Sequence, residues 1–132
     1  MPNEEKKTET ILLVDDDPAV LQLCQQILHL GGYGVMAAGS GKQALDLLQD
    51  NSATVNLALF DVMMPGMNGV ELAQHIHSAH PDLPIVLMTG YGPKEIAQLV
   101  GDNHYRIIWK PFKTESLLRM VENAMGDMSP DA

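Results

Sequence analysis

Short apolar runs alternate with amphipathic stretches five times along this chain, and no other feature restricts its fold so strongly. The runs fall at residues 11–14, 35–38, 57–60, 85–88 and 107–109, and continuous apolar character is typical of strands buried on both faces. After each run, apolar residues recur at helical spacing. Strands that alternate with helices in this way predict a doubly wound α/β fold, in which helices cover both faces of a parallel sheet.

The predicted helices begin at residues that suit helix N-termini. Ser, Asp and Asn side chains accept hydrogen bonds from the free N–H groups of a first turn, and proline is tolerated at the first helical position. A Glu or Gln three residues after the cap can complete a reciprocal capping box. The signals are Asp17 with Pro18, Ser40 with Gln43, Asn68 with Glu71, and Gly92-Pro93 with Glu95.

The chain has 132 residues, a length that suits one domain with a single core. We assign residues 10–126 to this domain and expect residues 1–9 and 127–132 to be loose ends. The formal net charge is −9, with only 8 Lys and Arg, which argues against nucleic acid as a direct partner. The polar start is unlike a signal peptide, and no apolar run is long enough for a membrane span, so we expect a cytoplasmic protein.

Polar side chains follow four of the five predicted strands. Asp15 and Asp16 follow the first strand, Asp61 the third, Thr89 the fourth and Lys110 the fifth. In an open α/β sheet, ligands bind outside the carboxyl ends of the strands, where the strand order reverses. For the strand order 2-1-3-4-5, the first and third strands are neighbours at that point. The three carboxylates are therefore expected to converge.

Converging carboxylates repel one another unless a cation lies between them. Oxygen ligands with open water positions suit Mg²⁺, which also neutralises an incoming phosphoryl group. Aspartate can accept that group as an aspartyl phosphate, and a lysine and a hydroxyl are suitable partners for its oxygens. Taken alone, Asp15 and Asp16 are explained equally well as loop acids that cap a helix. Together with Asp61, Thr89 and Lys110 they favour magnesium-dependent phosphoryl transfer.

Four separated motifs carry a family resemblance. ILLVDDDP, FDVMMPGMNG, LMTGYG and WKPF resemble, in order and spacing, the motifs of bacterial two-component response-regulator receiver domains of the chemotaxis-regulator type. The resemblance covers about residues 10–125. It implies a flavodoxin-like three-layer sandwich and a signalling module that catalyses its own phosphorylation but is not a turnover enzyme. The implied donor is a sensor histidine kinase or a histidine phosphotransfer protein, and the implied output is contact with a downstream protein.

The resemblance implies a role for each polar residue at the strand ends. Asp61 resembles the phosphoacceptor, and Lys110 resembles the lysine that contacts the phosphoryl group. Thr89 resembles the hydroxyl that moves toward the phosphate. The bond between Lys110 and Pro111 resembles a cis peptide bond of the family. The implied magnesium ligands are Asp16, Asp61 and the backbone carbonyl of Met63 directly, and Asp15 through a water molecule.

Two departures from the family concern the last strand. An aromatic residue often stands three positions before the lysine and turns inward as the threonine moves, but this chain has Ile107 there. Tyr105 lies on the same strand face if the pairing is regular, farther from the site. We therefore expect the output to depend on Thr89 and on loop motion. Trp109, beside Lys110, is predicted to pack on the opposite face of the sheet.

Two further positions bear on the lifetime of the phosphate. In the family, the residues two after the acceptor and two after the threonine tune hydrolysis, and here they are Met63 and Tyr91. Both side chains are bulky, and neither is a carboxylate or amide that could orient a water molecule. The resemblance therefore predicts slow autodephosphorylation.

Other candidate sites are weaker. The single cysteine, Cys24, allows no intramolecular disulfide and is expected to pack beside Leu23 and Ile27. His75 and His77 are two residues apart on a predicted helix, so they face different ways and do not favour a zinc site.

Three alternatives remain open at the level of sequence. A metal-dependent phosphatase with an aspartate nucleophile usually carries a second acid two residues later, where this chain has Met63. A receiver that has lost its switch and acts as a fixed binding module gains support from Ile107. The chain is either a stand-alone regulator, as Met1 weakly favours, or a receiver excised from a hybrid kinase. Homodimerisation, common in the family, is also open.

Overall fold

The computed structural model describes residues 9–101 and 105–126, and it confirms the predicted fold. A five-stranded parallel sheet has the order β2-β1-β3-β4-β5. The loose ends predicted at residues 1–9 and 127–132 lie outside the described residues, except for Glu9. The strands are β1 (Thr10–Val14), β2 (Gly34–Ala38), β3 (Val55–Asp61), β4 (Ile85–Thr89) and β5 (Arg106–Trp109). The helices are α1 (Pro18–Leu30), α2 (Gly41–Asn51), α3 (Gly69–Ala79), α4 (Pro93–Val100) and α5 (Thr114–Gly126).

The predicted caps explain where the helices begin. The Asp17 carboxylate accepts a hydrogen bond from the N–H of Ala19 at the start of α1, and Asn68 forms the full capping box with Glu71 at α3. The box predicted at α2 is only half formed. Ser40 accepts from the N–H of Gln43 at 3.1 Å, but the Gln43 side chain accepts from the N–H of Gly39 instead of Ser40.

Two apolar layers fill the space on the two sides of the sheet, as the doubly wound prediction requires. Phe60 and Leu87 pack against α2, α3 and α4 on one side, whereas Leu59 and Met88 pack against α1 and α5 on the other. Cys24 belongs to the second layer and is fully buried. Burial, helped by the negative charge of Asp15, raises the pKa of its thiol to about 11. No helix in the described part of the chain is both long enough and apolar enough to span a membrane.

Some apolar positions lie outside these layers, contrary to the sequence pattern. Leu23 was expected on the inner face of α1, but it is 54% exposed because Cys24, Ile27 and Leu28 fill the space against the sheet. Trp109 was expected to pack on a sheet face, but it remains 42% exposed. It ends β5, which is an edge strand, so sheet covers it on one side only.

The strand register brings the expected residues to one edge of the sheet. Val14 pairs with Phe60, so Asp15 and Asp61 come next on neighbouring strands. Thr89 pairs with Trp109, and the N–H of Lys110 donates to the carbonyl of Thr89 at 2.7 Å. The Lys110–Pro111 peptide bond is cis, as the resemblance implied.

Gly69, the first residue of α3, packs against the backbone that carries Asp61. A Cβ atom at this position would lie 2.3 Å from the carbonyl oxygen of Asp61. Real Cβ atoms do not approach so closely, so any side chain here would displace the end of β3. Glycine at this position therefore helps to fix the site.

Candidate functional site

Three carboxylates meet at the carboxyl ends of β1 and β3, and we call this group the acid pocket: Asp15, Asp16 and Asp61. One oxygen from each lies within 4.8 Å of the others. Asp15 and Asp61 are buried, whereas Asp16 is exposed to solvent. The Asp15 carboxylate is held in place by the N–H of Asp17, which donates to it at 2.9 Å. The acid pocket thus combines two buried carboxylates, one of them held by a backbone N–H, with a third carboxylate that faces solvent.

Lys110 reaches into the acid pocket from the end of β5. Its ammonium group lies 3.2 Å from a carboxylate oxygen of Asp61 and 3.5 Å from one of Asp15. Burial acts most strongly on this lysine and lowers its pKa, but the attraction of Asp61 and Asp15 outweighs burial, so the pKa is raised. Lys110 is therefore a charged partner for the two buried acids.

One lysine does not fully offset the pocket's negative charge. Burial raises the pKa of Asp61, and Asp15 raises it further, although Lys110 and a hydrogen bond from the Met63 N–H act in the opposite direction. Three carboxylates and one ammonium leave a formal charge of about −2 when all are ionised. Their hard oxygen atoms are the donor set that Mg²⁺ prefers. The residues present therefore fit a divalent cation.

Among the described residues, the acid pocket is the one candidate metal site of this kind. Within residues 9–101 and 105–126, the acid pocket is the one group of three or more His, Cys, Asp or Glu side chains close enough to share an ion. His75 and His77 are exposed on α3 and are not part of any such group.

Thr89 lies at the end of β4, beside the strand that carries Asp61. Its side chain is fully buried, and its hydroxyl accepts a hydrogen bond from the N–H of Tyr91 at 2.9 Å. No direct bond joins Thr89 to an acid among the described contacts. The hydroxyl is therefore adjacent to the acid pocket and is engaged with the loop that follows β4.

Tyr91 links three segments around the acid pocket, and we call the linked residues the Tyr91 bridge: Met63, Tyr91 and Trp109. The Tyr91 hydroxyl contacts the sulfur of Met63, and the indole N–H of Trp109 donates to the Tyr91 carbonyl at 2.9 Å. Sequence reasoning identified Met63 as a carbonyl ligand, and Met63 and Tyr91 as bulky side chains that slow hydrolysis of the phosphate. It did not predict that the two are in contact, and it identified Trp109 only as a packing residue. The one sequence feature that pointed to a role for Trp109 near the site was its position beside Lys110.

Three comparisons with known proteins agree with this geometry. The model of the response regulator receiver domain matches residues 11–122. The chain is 36% identical over 124 residues to the response regulator MprA of Mycobacterium sp. (strain KMS), covering 92% of this chain and 52% of that protein. It is 35% identical over 116 residues to the C4-dicarboxylate transport transcriptional regulatory protein DctD of Rhizobium meliloti (strain 1021), covering 87% of this chain and 25% of that protein.

A solved structure gives the same result for the fold. A CheY-like response regulator receiver domain protein from Methanospirillum hungatei JF-1 superposes with a TM-score of 0.84 at 30% identity, covering 96% of this chain and 100% of that one. By contrast, the chain spans between a quarter and about half of the two curated relatives named above. The similarity therefore concerns the domain that these proteins share.

Proposed function

This chain belongs to the response regulator receiver domain family, and we propose that it accepts a phosphoryl group on Asp61 and signals through contacts with other proteins. Receiver domains are the phosphoacceptors of two-component signalling, and they are generally not turnover enzymes. One observation carries the assignment to Asp61. Its carboxylate is buried between a second acid, Asp15, and a lysine, Lys110, at the carboxyl edge of the sheet.

The proposed reaction is an in-line displacement at phosphorus. A carboxylate oxygen of Asp61 forms a bond to the phosphorus of a phosphohistidine on the donor, and the phosphorus–nitrogen bond breaks. The electron pair of that bond stays on the histidine nitrogen, which takes up a proton. Positioning and charge neutralisation dominate such transfers, so Lys110 would act by binding a phosphoryl oxygen as charge develops. After a small movement, the Thr89 hydroxyl would donate a hydrogen bond to another phosphoryl oxygen.

Receiver domains bind Mg²⁺ at an acidic site, and the acid pocket supplies suitable oxygen donors. We assign Asp16, Asp61 and the Met63 carbonyl as direct ligands and Asp15 as a ligand through water. A divalent ion would neutralise the pocket and the incoming phosphoryl oxygens. Lys110 would then be free to turn from the acids to the phosphate.

The partners follow from the family. Receiver domains interact with histidine kinases and with downstream effectors. For this chain we propose a sensor histidine kinase or a phosphotransfer protein as donor, and a protein rather than nucleic acid as direct target. A cytoplasmic location and a receiver unit of residues 10–126 are parts of the same proposal. Homodimerisation remains an alternative output.

Intact-mass measurement after incubation with acetyl phosphate and Mg²⁺ tests the assignment. We expect the wild type to gain one phosphoryl group and Asp61→Asn to gain none. Asp46→Asn, an exposed acid on α2, serves as the matched control and should be phosphorylated normally. Phosphorylation of Asp61→Asn, or its absence in the wild type, would contradict the proposal.

A turnover assay, run beside the mass measurement, separates the two rival functions. A metal-dependent phosphatase would turn over a generic phosphomonoester in the presence of Mg²⁺, whereas we expect no sustained turnover from this chain. Met63, the residue two after Asp61, provides no acid for the leaving group. A fixed binding module would take up no phosphate at all, and Ile107 is its main support.

A further inference from the structure

The loop that joins β4 to α4 has little side-chain material to hold it. It consists of Gly90, Tyr91 and Gly92, so its one side chain belongs to Tyr91. A Cβ atom at Gly90 would meet nothing within 4 Å, and Gly92 begins α4 without a side-chain cap. The position of the loop therefore depends on the bonds made by Tyr91.

Tyr91 makes those bonds in three directions. Its N–H donates to the Thr89 hydroxyl at 2.9 Å, and its carbonyl accepts from the Trp109 indole at 2.9 Å. Its hydroxyl contacts the sulfur of Met63 in the loop after β3. The side chain thus crosses from the strand end that carries Thr89 to the loop that follows Asp61.

This crossing joins the loop after β4 to the loop that begins beside the acceptor carboxylate. The Asp61 side chain is only 10% exposed, although it stands at the open end of the sheet. The Met63 N–H donates to that same carboxylate, so the residue that Tyr91 contacts is bound directly to the acceptor. The contact between Tyr91 and Met63 is therefore connected to the acceptor through the Met63 backbone.

From these contacts we propose that Trp109 is a positioning residue, which holds Tyr91 closed against Met63 through the Tyr91 carbonyl and so sets how fast Asp61 gains and loses phosphate. This inference rests on the proposed function. It assigns Trp109 a role that neither packing nor the receiver resemblance predicted. Uptake from acetyl phosphate and loss to water are separate reactions, but both need an open path to Asp61. A change in the open fraction therefore scales both rates alike and leaves the steady-state level unchanged.

Trp109→Phe tests the gate because it keeps an aromatic ring but lacks the N–H donor. With acetyl phosphate and Mg²⁺, we expect phosphorylation and decay both to be about fivefold faster than in the wild type, the effect of one lost neutral hydrogen bond. The steady-state level should stay the same. A loss of folded protein would instead lower that level, so thermal unfolding and the level together exclude a general defect.

A double-mutant cycle with Tyr91→Ala tests whether Trp109 acts through Tyr91. Tyr91→Ala keeps the carbonyl but removes the ring, so adding Trp109→Phe to it should change neither rate further. Independent effects of the two substitutions would overturn the inference, as would wild-type rates in Trp109→Phe. If the wild type took up no phosphate, the proposed function and this inference would fall together. Normal uptake with unchanged rates in Trp109→Phe would overturn this inference alone.

Discussion

The acid pocket and the Tyr91 bridge stand side by side at the same edge of the sheet, but they are built from opposite kinds of interaction. The acid pocket holds three carboxylates within 4.8 Å of one another, two of them buried, and Lys110 contacts those two. The Tyr91 bridge holds neutral groups through a contact to sulfur and a hydrogen bond to a carbonyl. Charges in a partly buried site interact strongly, whereas one neutral hydrogen bond contributes roughly 1 kcal/mol.

This difference suggests separate roles for the two groups: the acid pocket in the transfer reaction itself, and the Tyr91 bridge in the rates at which phosphate is gained and lost. The excess negative charge of the acid pocket is offset when a cation binds, so under the proposed function the acid pocket would determine whether transfer occurs. The Tyr91 bridge breaks and reforms at low cost, so it suits control of access and of loop position. Substitutions in the acid pocket should therefore have larger effects than substitutions in the Tyr91 bridge.

Among substitutions that keep the acceptor Asp61, Lys110→Ala should have the largest effect. Without the ammonium group, charge that develops on the phosphoryl oxygens has no fixed cation from the protein, and loss of one such donor typically costs about 100-fold in rate. We expect phosphorylation by acetyl phosphate to slow by about that factor. Lys113→Ala, an exposed lysine three residues further on, is the matched control and should be unaffected. An equal effect of the two substitutions would remove the distinction between the acid pocket and its surroundings.

Asp16→Asn should weaken the response to Mg²⁺. The amide keeps an oxygen ligand but removes a negative charge, and ligand charge is a main determinant of affinity for hard cations. We expect about a tenfold loss of Mg²⁺ affinity, measured as the concentration of ion needed to raise the melting temperature. Asp46→Asn should leave the titration unchanged. A wild-type titration for Asp16→Asn would exclude Asp16 as a ligand.

The sequence predicted the acid pocket because strand ends are local features. Apolar runs at 11–14 and 57–60 place Asp15 directly after β1 and Asp61 at the last position of β3, and the parallel order makes these two strands neighbours. The Tyr91 bridge could not be predicted in the same way. Trp109 and Tyr91 are joined by a bond between a side chain and a backbone carbonyl 18 residues away, which leaves no periodic pattern.

Two smaller differences have the same physical origin. Leu23 fits the helical spacing of α1, but spacing alone does not show that the space against the sheet is already filled by Cys24 and Ile27. Gln43 fits a capping box, but its side chain bonds to Gly39, one residue before the expected partner. Pattern identifies the elements and their faces, whereas competition between neighbours determines individual contacts.

Asp61→Asn should stabilise the protein in the absence of Mg²⁺. Burial and the charge of Asp15 raise the pKa of Asp61, so its ionised form is less favourable in the folded state than in the unfolded state. Because the folded state then holds the proton more tightly, stability falls as pH rises above the ordinary value of 3.8, and the full penalty is present near pH 7. We expect a gain of about 1 kcal/mol in urea unfolding at pH 7 with EDTA, from relief of a buried charge.

The gain from Asp61→Asn should shrink as pH approaches 3.8, because the wild-type carboxyl then becomes neutral too. Saturating Mg²⁺ should reverse the order, since the ion binds the folded wild type more tightly. A variant less stable than the wild type at pH 7 without Mg²⁺ would mean that Lys110 fully compensates the acid pocket. The acid pocket would then carry no uncompensated charge, and its contrast with the neutral Tyr91 bridge would disappear.

Met63→Asn should have the smallest effect of these substitutions and tests the Tyr91 bridge from its other end. An amide can orient a water molecule toward phosphorus, which the thioether cannot, and it gives up the apolar bulk beside Tyr91. We expect the aspartyl phosphate to decay about threefold faster, a modest gain because a neutral amide does not remove a proton from water as a general base would.

Met63→Leu keeps the bulk without the sulfur, so its decay should stay within about twofold of the wild type, the effect of at most one weak contact. Loss of the wild-type phosphate within seconds, or faster decay in Met63→Leu than in Met63→Asn, would show that bulk over Asp61 does not protect the phosphate. The acid pocket would then determine both whether transfer occurs and how long its product lasts.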